Sequence, residues 1–236
     1  KYHDIKNVIP MGLYRSDYIT LYKKKNIPKE ISKAKENGKK IIVFLGHHSS
    51  NYWFDSYLSA ISSWSAQISF LKDVIRFSKN LNNAIVILRY KGLIWTTNIY
   101  FKDILNKINN CENIIISMHQ SESFYAYKLC ANADLIVAKH TSVADECLSH
   151  EIPVLFYEYT NNMKGIASDA FDYLSSKLMC YNFDDLLERS KSLLFNNSTP
   201  KVKVREINLS ISISQSLNTC FIFFKLFFFV VIKVIS

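Results

Sequence analysis

The fold is decided by residues 133–159, which read ADLIVAKHTSVADECLSHEIPVLFYEY. Two apolar runs, at 135–138 and 152–157, are rich in branched and aromatic residues, which suits strands that are buried on both faces. Between these runs, apolar residues recur at helical spacing from position 143 to position 148. The stretch therefore predicts a strand, a polar turn, a helix and a second strand, which together make one βαβ unit.

Strands and helices are predicted to alternate along the rest of the chain. Further strands are expected at 40–45, 84–88 and 113–117, and helices at 29–39, 66–81, 99–108, 121–131 and 184–195. Residues 1–25 are polar and irregular. Regular alternation of this kind predicts the α/β class, with a doubly wound parallel sheet.

Polar side chains follow each predicted strand at the point where it ends. In open α/β sheets, ligands bind beyond the carboxyl ends of the strands, and a helix N-terminus there favours anions. Because parallel strands end at the same edge, these residues are predicted to converge on one site for a phosphate-bearing ligand. They are His47 and His48, Arg89 and Lys91, His119, the run His140, Thr141 and Ser142, and Glu158.

The hydroxyl residues and the cations in this set suit a diphosphate. Thr141 and the backbone N–H groups near it are candidate phosphate contacts, with His140 beside them. Arg89 and Lys91 would neutralise the diphosphate, and Arg89 is favoured because its planar fork matches phosphate oxygens; the alternative is a surface pair. Ser142 and Asp145 fit a capping box, so helix capping competes with ligand contact at Ser142.

The other candidates carry weaker signals. One of His47 and His48 is predicted to face the acceptor or the leaving phosphate, although a polar loop without a role explains the doublet equally simply. His119 suits a structural or exposed position. Glu158 is a candidate contact for the donor sugar. Cysteine and histidine spacing indicates no metal site, and no catalytic triad stands out.

Composition and net charge limit the classes of binding partner that the chain could have. The chain has 236 residues and a formal net charge of +9, with lysines dense between positions 23 and 40. A solvated helix face, an anionic membrane surface and a nucleotide-linked substrate all remain open as explanations, whereas no nucleic-acid motif accompanies the charge. Five cysteines lie far apart, which favours a reducing compartment and a buried, apolar role for Cys130, Cys147 and Cys180.

The two ends of the chain are atypical. The first residue is Lys1 and no signal peptide follows, so the sequence is interpreted as a piece of a longer protein. Residues 220–235 are almost wholly apolar but include Lys225 and Lys233, and the run is shorter than a spanning helix needs. A membrane-surface anchor, a buried terminal element and a non-native, out-of-frame translation of A/T-rich DNA are the three interpretations of this tail.

The stretch that decides the fold resembles the C-terminal, donor-binding domain of GT-B glycosyltransferases that build bacterial surface polysaccharides. It also resembles the related CDP-glycerol glycerophosphotransferases, in which a hydroxyl pair is followed by an acidic residue one helical turn on. Thr141 and Ser142 stand at the hydroxyl pair and Glu146 at the acidic position. The segment VIPMGLYRSDYI at 8–19 is similar to the interdomain segment before this domain. Two features depart from the pattern: Tyr90-Lys91 replaces a histidine-proline pair, and no glycine-rich nucleotide loop is present.

This resemblance implies a fold, a division of the chain and an activity. Residues 1–39 would be an interdomain segment with a basic helix, 40–199 a Rossmann-like domain that binds a nucleotide sugar, and 200–236 the atypical tail. The implied activity is transfer of a sugar from a nucleotide-diphosphate donor to a surface-polysaccharide or lipid-linked acceptor, without a cofactor. Glu146 would accept hydrogen bonds from the ribose of the donor; Asp145 is the rival for this role, and a solvated helix residue is the alternative explanation of Glu146.

Two alternative functions remain open. One is transfer of a polyol phosphate from a CDP-glycerol-type donor, and the other is a non-catalytic α/β binding domain. The acceptor domain of a GT-B enzyme is not in this sequence, so a lone half is not expected to turn over. The expected location is the cytoplasm, with peripheral contact at the inner face of the cell membrane as a variant of that hypothesis.

Overall fold

The computed structural model describes residues 14–23, 25, 27–46, 63–118, 124–139, 141–160 and 178–195. The strands are β1 (Lys40–Gly46), β2 (Ala84–Tyr90), β3 (Ile114–Ile116), β4 (Leu135–Ala138), β5 (Val154–Tyr157) and β6 (Met179–Cys180). The α-helices are α1 (Asp17–Tyr22), α2 (Lys29–Glu36), α3 (Trp64–Lys79), α4 (Lys102–Asn109), α5 (Tyr125–Cys130), α6 (Ser142–Ser149) and α7 (Phe183–Phe195). Short 3-10 helices lie at Tyr14–Ser16, Ile94–Thr97 and Ile99–Phe101.

The six strands form one sheet in the order β3-β2-β1-β4-β5-β6, and every neighbouring pair is parallel. The chain winds outward from β1 in one direction as far as β3, then returns to the centre and winds outward in the other direction from β4. This is the doubly wound arrangement with its switch point between β1 and β4. The fold class predicted from the alternating pattern is confirmed.

Each face of the sheet carries its own apolar core because side chains alternate along a strand. On one face, Ile42 and Phe44 of β1 pack with residues of α3, α4 and α7. On the other face, Ile41 and Val43 pack with residues of α1, α2, α5 and α6. Central strands buried on both faces explain why their sequences are continuous apolar runs.

Most predicted elements are found close to their expected positions, and β4 has the predicted bounds. Two predictions were wrong in detail. The irregular segment 1–25 contains a 3-10 turn followed by α1, whose one buried residue, Ile19, packs in the core beneath α5. The helix expected at 99–108 begins as a 3-10 turn because the Asn98 side chain accepts a hydrogen bond from the Tyr100 N–H at 2.9 Å, and α4 starts only at Lys102.

The cysteine prediction is confirmed for three residues. Cys130, Cys147 and Cys180 are fully buried as free thiols within the two cores. Among the described residues, the helices are all too short or too polar to cross a bilayer. The hydrophobic tail at 200–236 lies outside the described residues, so its three interpretations stay predictions.

Candidate functional site

The carboxyl ends of β2, β1 and β4 lie side by side at the switch point of the sheet. Leu45 of β1 is in register with Arg89 of β2 on one side and with Ala138 of β4 on the other. Neighbouring strands are about 4.8 Å apart, so Arg89 and Ala138 are separated by about 10 Å across the edge. Thr141 follows Ala138 by three residues. Arg89 and Thr141 therefore lie at the same rim of the sheet, as the sequence predicted.

The end of β1 is closed by an aromatic ring. The Tyr90 side chain lies against the backbone of Gly46, so closely that a Cβ atom built on Gly46 would come within 2.3 Å of two ring carbons. The Tyr90 hydroxyl donates a hydrogen bond to Gln67 Oε1 at 2.8 Å, which fixes the ring from the side of α3. Only glycine at position 46 permits this close approach.

Helix α6 begins beside this edge and points its N-terminus toward it. Its first intrahelical hydrogen bond runs from the Ala144 N–H to the Thr141 carbonyl at 3.0 Å, so the preceding N–H groups have no intrahelical acceptor. The predicted capping box was wrong. Ser142 is the first helical residue, and the extended residue Thr141 occupies the cap position without a side-chain capping bond. The N–H groups of this turn are thus not satisfied by a capping hydroxyl, which suits anion binding.

Glu146 lies one helical turn beyond Ser142 and on the same side of α6. Its side chain is buried, with 3% relative exposure, and Oε2 has no hydrogen-bond partner among the described residues. Burial raises the pKa of Glu146, while the neighbouring Tyr127 hydroxyl and the charge of Arg15 oppose that shift. A buried carboxylate oxygen without a hydrogen-bond donor is costly, so a donor supplied at this position would be stabilising.

Arg15 is a functional candidate that the sequence placed only within the family-like segment 8–19. It lies in the 3-10 turn before α1, which contacts α6. Helix α1 itself packs along α5, where Tyr18 stacks on Phe124 with ring centroids 4.1 Å apart. The packing of α1 thus brings the guanidinium charge of Arg15 near Glu146. No local sequence motif predicts this proximity.

Arg89 and Lys91 differ in their surroundings. Arg89 is half-buried on the α5 face, with Cζ 5.6 Å from the centroid of the Tyr125 ring, and burial lowers its pKa. The Tyr125 hydroxyl in turn donates a hydrogen bond to Glu30 at 2.6 Å. Lys91 is exposed, one residue beyond β2. The better-ordered cation at this edge is therefore Arg89, while the ligand roles of both residues stay predictions.

A buried ion pair at the same edge was missed by the sequence analysis. Lys139, directly after β4, places Nζ 2.5 Å from Glu158 Oε1 and 2.6 Å from Thr160 Oγ1. Glu158 Oε1 also accepts from the Thr160 N–H at 2.8 Å. Burial lowers the pKa of Lys139, and Glu158 raises it back in part. Glu158 thus engages Lys139 and Thr160, and its predicted contact with a donor sugar remains untested.

Hydrogen bonds and ring contacts extend this pair toward the end of β2. Lys139 Nζ lies 4.8 Å from the centroid of the Tyr159 ring. The Tyr159 hydroxyl accepts a hydrogen bond from Gln67 Nε2 at 3.4 Å, and Gln67 also holds Tyr90. The sequence feature that could have predicted this ion pair is the position of its two charges: Lys139 immediately follows the apolar strand β4, and Glu158 immediately follows the apolar strand β5.

Four predicted site residues lie outside the described residues: His47, His48, His119 and His140. Their roles stay predictions. Across the described ranges, groups of three or more His, Cys, Asp or Glu side chains able to hold a metal ion do not occur.

Comparison with known proteins supports the fold. No family model matches the chain, and no curated protein matches it in sequence. A protein from Listeria monocytogenes described as a UDP-N-acetylglucosamine 2-epimerase superposes with a TM-score of 0.56 at 11% identity over 84% of this chain and 47% of its own. The S. aureus protein MnaA, solved with UDP, gives 0.51 at 14% identity over 83% and 47%. The α,α-trehalose-phosphate synthase (UDP-forming) from Burkholderia xenovorans gives 0.50 at 14% identity over 79% and 43%.

These similarities establish a class of fold. The six-stranded parallel sheet with helices on both faces is the Rossmann-like arrangement of one GT-B domain. The chain spans about half the length of the solved structures that it matches.

Proposed function

We propose that this chain is the donor-binding half of a GT-B-type glycosyltransferase that transfers a sugar from a nucleotide-diphosphate donor to a surface-polysaccharide or lipid-linked acceptor. The observation that carries the proposal is the buried, unpartnered carboxylate oxygen of Glu146, one turn from the N-terminus of α6 at the switch point. An anion site and a hydrogen-bond acceptor at this spacing match a diphosphate and a ribose.

The residues divide the work of binding as follows. The N–H groups at the start of α6 and the Thr141 hydroxyl hold the diphosphate, and Arg89 supplies positive charge from the end of β2. Glu146 accepts hydrogen bonds from the ribose hydroxyls. As the glycosidic bond breaks, negative charge builds on the departing diphosphate, and these donors stabilise it. The attacking hydroxyl and its base would come from an acceptor domain or from the pair His47 and His48.

The similar structures support a nucleotide-sugar ligand through their own bound molecules. MnaA was solved with UDP, and an E. coli structure described as trehalose-6-phosphate, with a TM-score of 0.50 at 11% identity over 80% of this chain and 44% of its own, was solved with UDP-2-fluoro glucose. The similar structures include an epimerase and a synthase, and uridine diphosphate is the part that the two bound nucleotides share, so sugar transfer is the more specific part of the proposal. With an acceptor half required for catalysis, the measurable activity of this chain is donor binding.

The proposal is tested by titration calorimetry of the full chain with UDP, UDP-N-acetylglucosamine, GDP, CDP and CDP-glycerol. We expect one uridine or guanosine ligand to bind with Kd below about 1 mM. Arg89→Ala and Glu146→Gln should each weaken binding about tenfold, because each removes a charge-assisted contact. In addition, 2′-deoxy-UDP should bind more weakly than UDP to the native chain but equally to the Glu146 variant.

Arg76→Ala is the matched control, since Arg76 pairs with Asp184 on an exposed surface of α3 and α7 at 3.1 Å. It should leave the affinity unchanged. Preference for CDP and CDP-glycerol would replace the sugar-transfer proposal by polyol-phosphate transfer. If the folded chain bound no nucleoside diphosphate at all, the non-catalytic binding domain would be the correct hypothesis.

A further inference from the structure

A contribution to stability does not explain why the Lys139–Glu158 ion pair lies at this edge of the sheet. Lys139 retains 8% relative exposure and Glu158 retains 5%, so both charges have lost their water. Exchanging a buried ion pair for apolar residues of similar volume is often neutral or stabilising, so this pair is weak evidence for stability. Yet the pair lies where β4 and β5 end, and Lys139 is two residues before Thr141 in the chain.

The two charges connect the end of β4 to the end of β5. The Glu158 N–H donates to the Cys180 carbonyl of β6 at 2.8 Å, which fixes the glutamate backbone. The Lys139 ammonium donates hydrogen bonds to Glu158 Oε1 and to Thr160 Oγ1. The Thr160 hydroxyl in turn donates to Glu158 Oε1, so the three side chains form a closed set of short hydrogen bonds. The residue that leaves β4 toward α6 is thereby anchored to β5 and β6.

The network has a second anchor on the other side of the switch point. The Tyr159 ring borders Lys139, and Gln67 on α3 joins the hydroxyl groups of Tyr159 and Tyr90. Since Tyr90 lies against Gly46, the polar network extends from β5, past the end of β1, to the end of β2. The network lies on the α3 side of the sheet.

We propose that Lys139 and Glu158 are positioning residues for the donor site: their ion pair, extended by Thr160, Tyr159 and Gln67, sets the place of the first turn of α6 and thus the aim of its anion-binding N–H groups. The pair does not touch the ligand itself. The inference about affinity rests on the proposed function, whereas the inference about the first turn of α6 does not.

The experiment compares the native chain with the double variant Lys139→Met with Glu158→Leu, which removes both charges and leaves no buried charge without a partner. Hydrogen exchange is measured without ligand at the backbone amides of Ala144 and Asp145, which donate to the Thr141 carbonyl, and the affinities for UDP and GDP are measured by calorimetry. We expect exchange about tenfold faster at these amides and a Kd about tenfold higher, with little change in the free energy of unfolding. The single variant Lys139→Arg, which keeps both charges, should change exchange and affinity less than the double variant does.

Thr160→Val is a milder variant that keeps both charges and removes one hydroxyl from the network. It should shift exchange and affinity in the same direction by a smaller factor, so the proposal remains testable even if the double variant does not fold. The control is Arg76→Gln with Asp184→Asn, which neutralises an exposed ion pair between α3 and α7. It should change neither quantity.

The outcomes separate the two proposals. Unchanged exchange at Ala144 and Asp145 and unchanged nucleotide affinity in the folded double variant would overturn the positioning role and leave the proposed function intact. Failure of the native chain to bind any nucleoside diphosphate, with faster exchange in the double variant, would overturn the proposed function and leave the positioning of α6 intact. A large loss of stability with native exchange in the folded state would identify the pair as a stabilising contact only.

Discussion

Replacing Gly46 by alanine tests the packing at the centre of the switch point. The added Cβ would lie 2.3 Å from two carbons of the Tyr90 ring and 2.7 Å from a third. Tyr90 is buried, and its hydroxyl is held by Gln67, so the ring cannot swing aside as an exposed side-chain tip would. The ring must shift or the strands must separate.

The magnitude follows from these contacts. Overpacking a dense core costs about 1 to 3 kcal/mol, and weakening the hydrogen bond to Gln67 adds about 1 kcal/mol. Gly46 does not have a positive φ, so alanine is allowed by its backbone and recovers about 0.5 kcal/mol by restricting the unfolded chain. We expect Gly46→Ala to lower the free energy of unfolding by about 1.5 to 3.5 kcal/mol.

Urea unfolding followed by circular dichroism measures this change. Gly38→Ala serves as the control, because Gly38 has φ of +69° and open space around it. Its variant carries only the strain of a left-handed backbone, about 1 kcal/mol. The two glycines thus separate steric conflict from backbone strain in one protein.

A second background shows whether the ring is responsible. In a Tyr90→Leu chain, the smaller and more flexible side chain leaves room for a methyl group, so Gly46→Ala should cost less than about 1 kcal/mol. Equal costs in the two backgrounds, or a Gly46 effect no larger than that of Gly38, would refute the argument that Tyr90 closes the end of β1.

Two further predictions concern carboxylates whose pKa is raised by full or partial burial. Glu146→Gln should gain stability relative to the native chain as pH rises from about 4.5 to 7, because burial raises the native pKa of Glu146 and its ionisation therefore favours the unfolded state; parallel pH profiles in urea unfolding would disprove this. Tyr157→Phe should lose about 1 kcal/mol, because the Tyr157 hydroxyl donates to Asp73 at 2.7 Å. Burial raises the pKa of Asp73 and this bond lowers it, so the loss should grow as pH rises above about 4; a loss independent of pH would contradict the assignment.

The sheet could be predicted from sequence because its strands are buried on both faces. The run LIVA at 135–138 has no polar position, and a turn residue or a charge stands at each end, so its bounds were readable. Helix α1 could not be read in this way. Its six residues, DYITLY, carry one buried side chain, and only packing against α5 makes them helical.

The site was readable only in part for a similar reason. Arg89 lies at the end of β2 and Thr141 stands three residues after β4, and parallel strands must bring such residues to one edge. Lys139 and Glu158 are 19 residues apart, and their pairing depends on β4 and β5 being neighbours in the sheet, which local pattern does not state. Arg15 comes from outside the βαβ pattern altogether and reaches the site through the packing of α1.

The lengths of the strands have a consequence for assembly. Strands β1 and β2 have seven residues each, whereas the outermost strands of the described sheet, β3 and β6, have three and two. Short edge strands offer few unpaired backbone N–H and C=O groups with which a strand of another polypeptide could pair. We therefore expect any companion subunit or domain to associate through side-chain surfaces, not by lengthening the sheet.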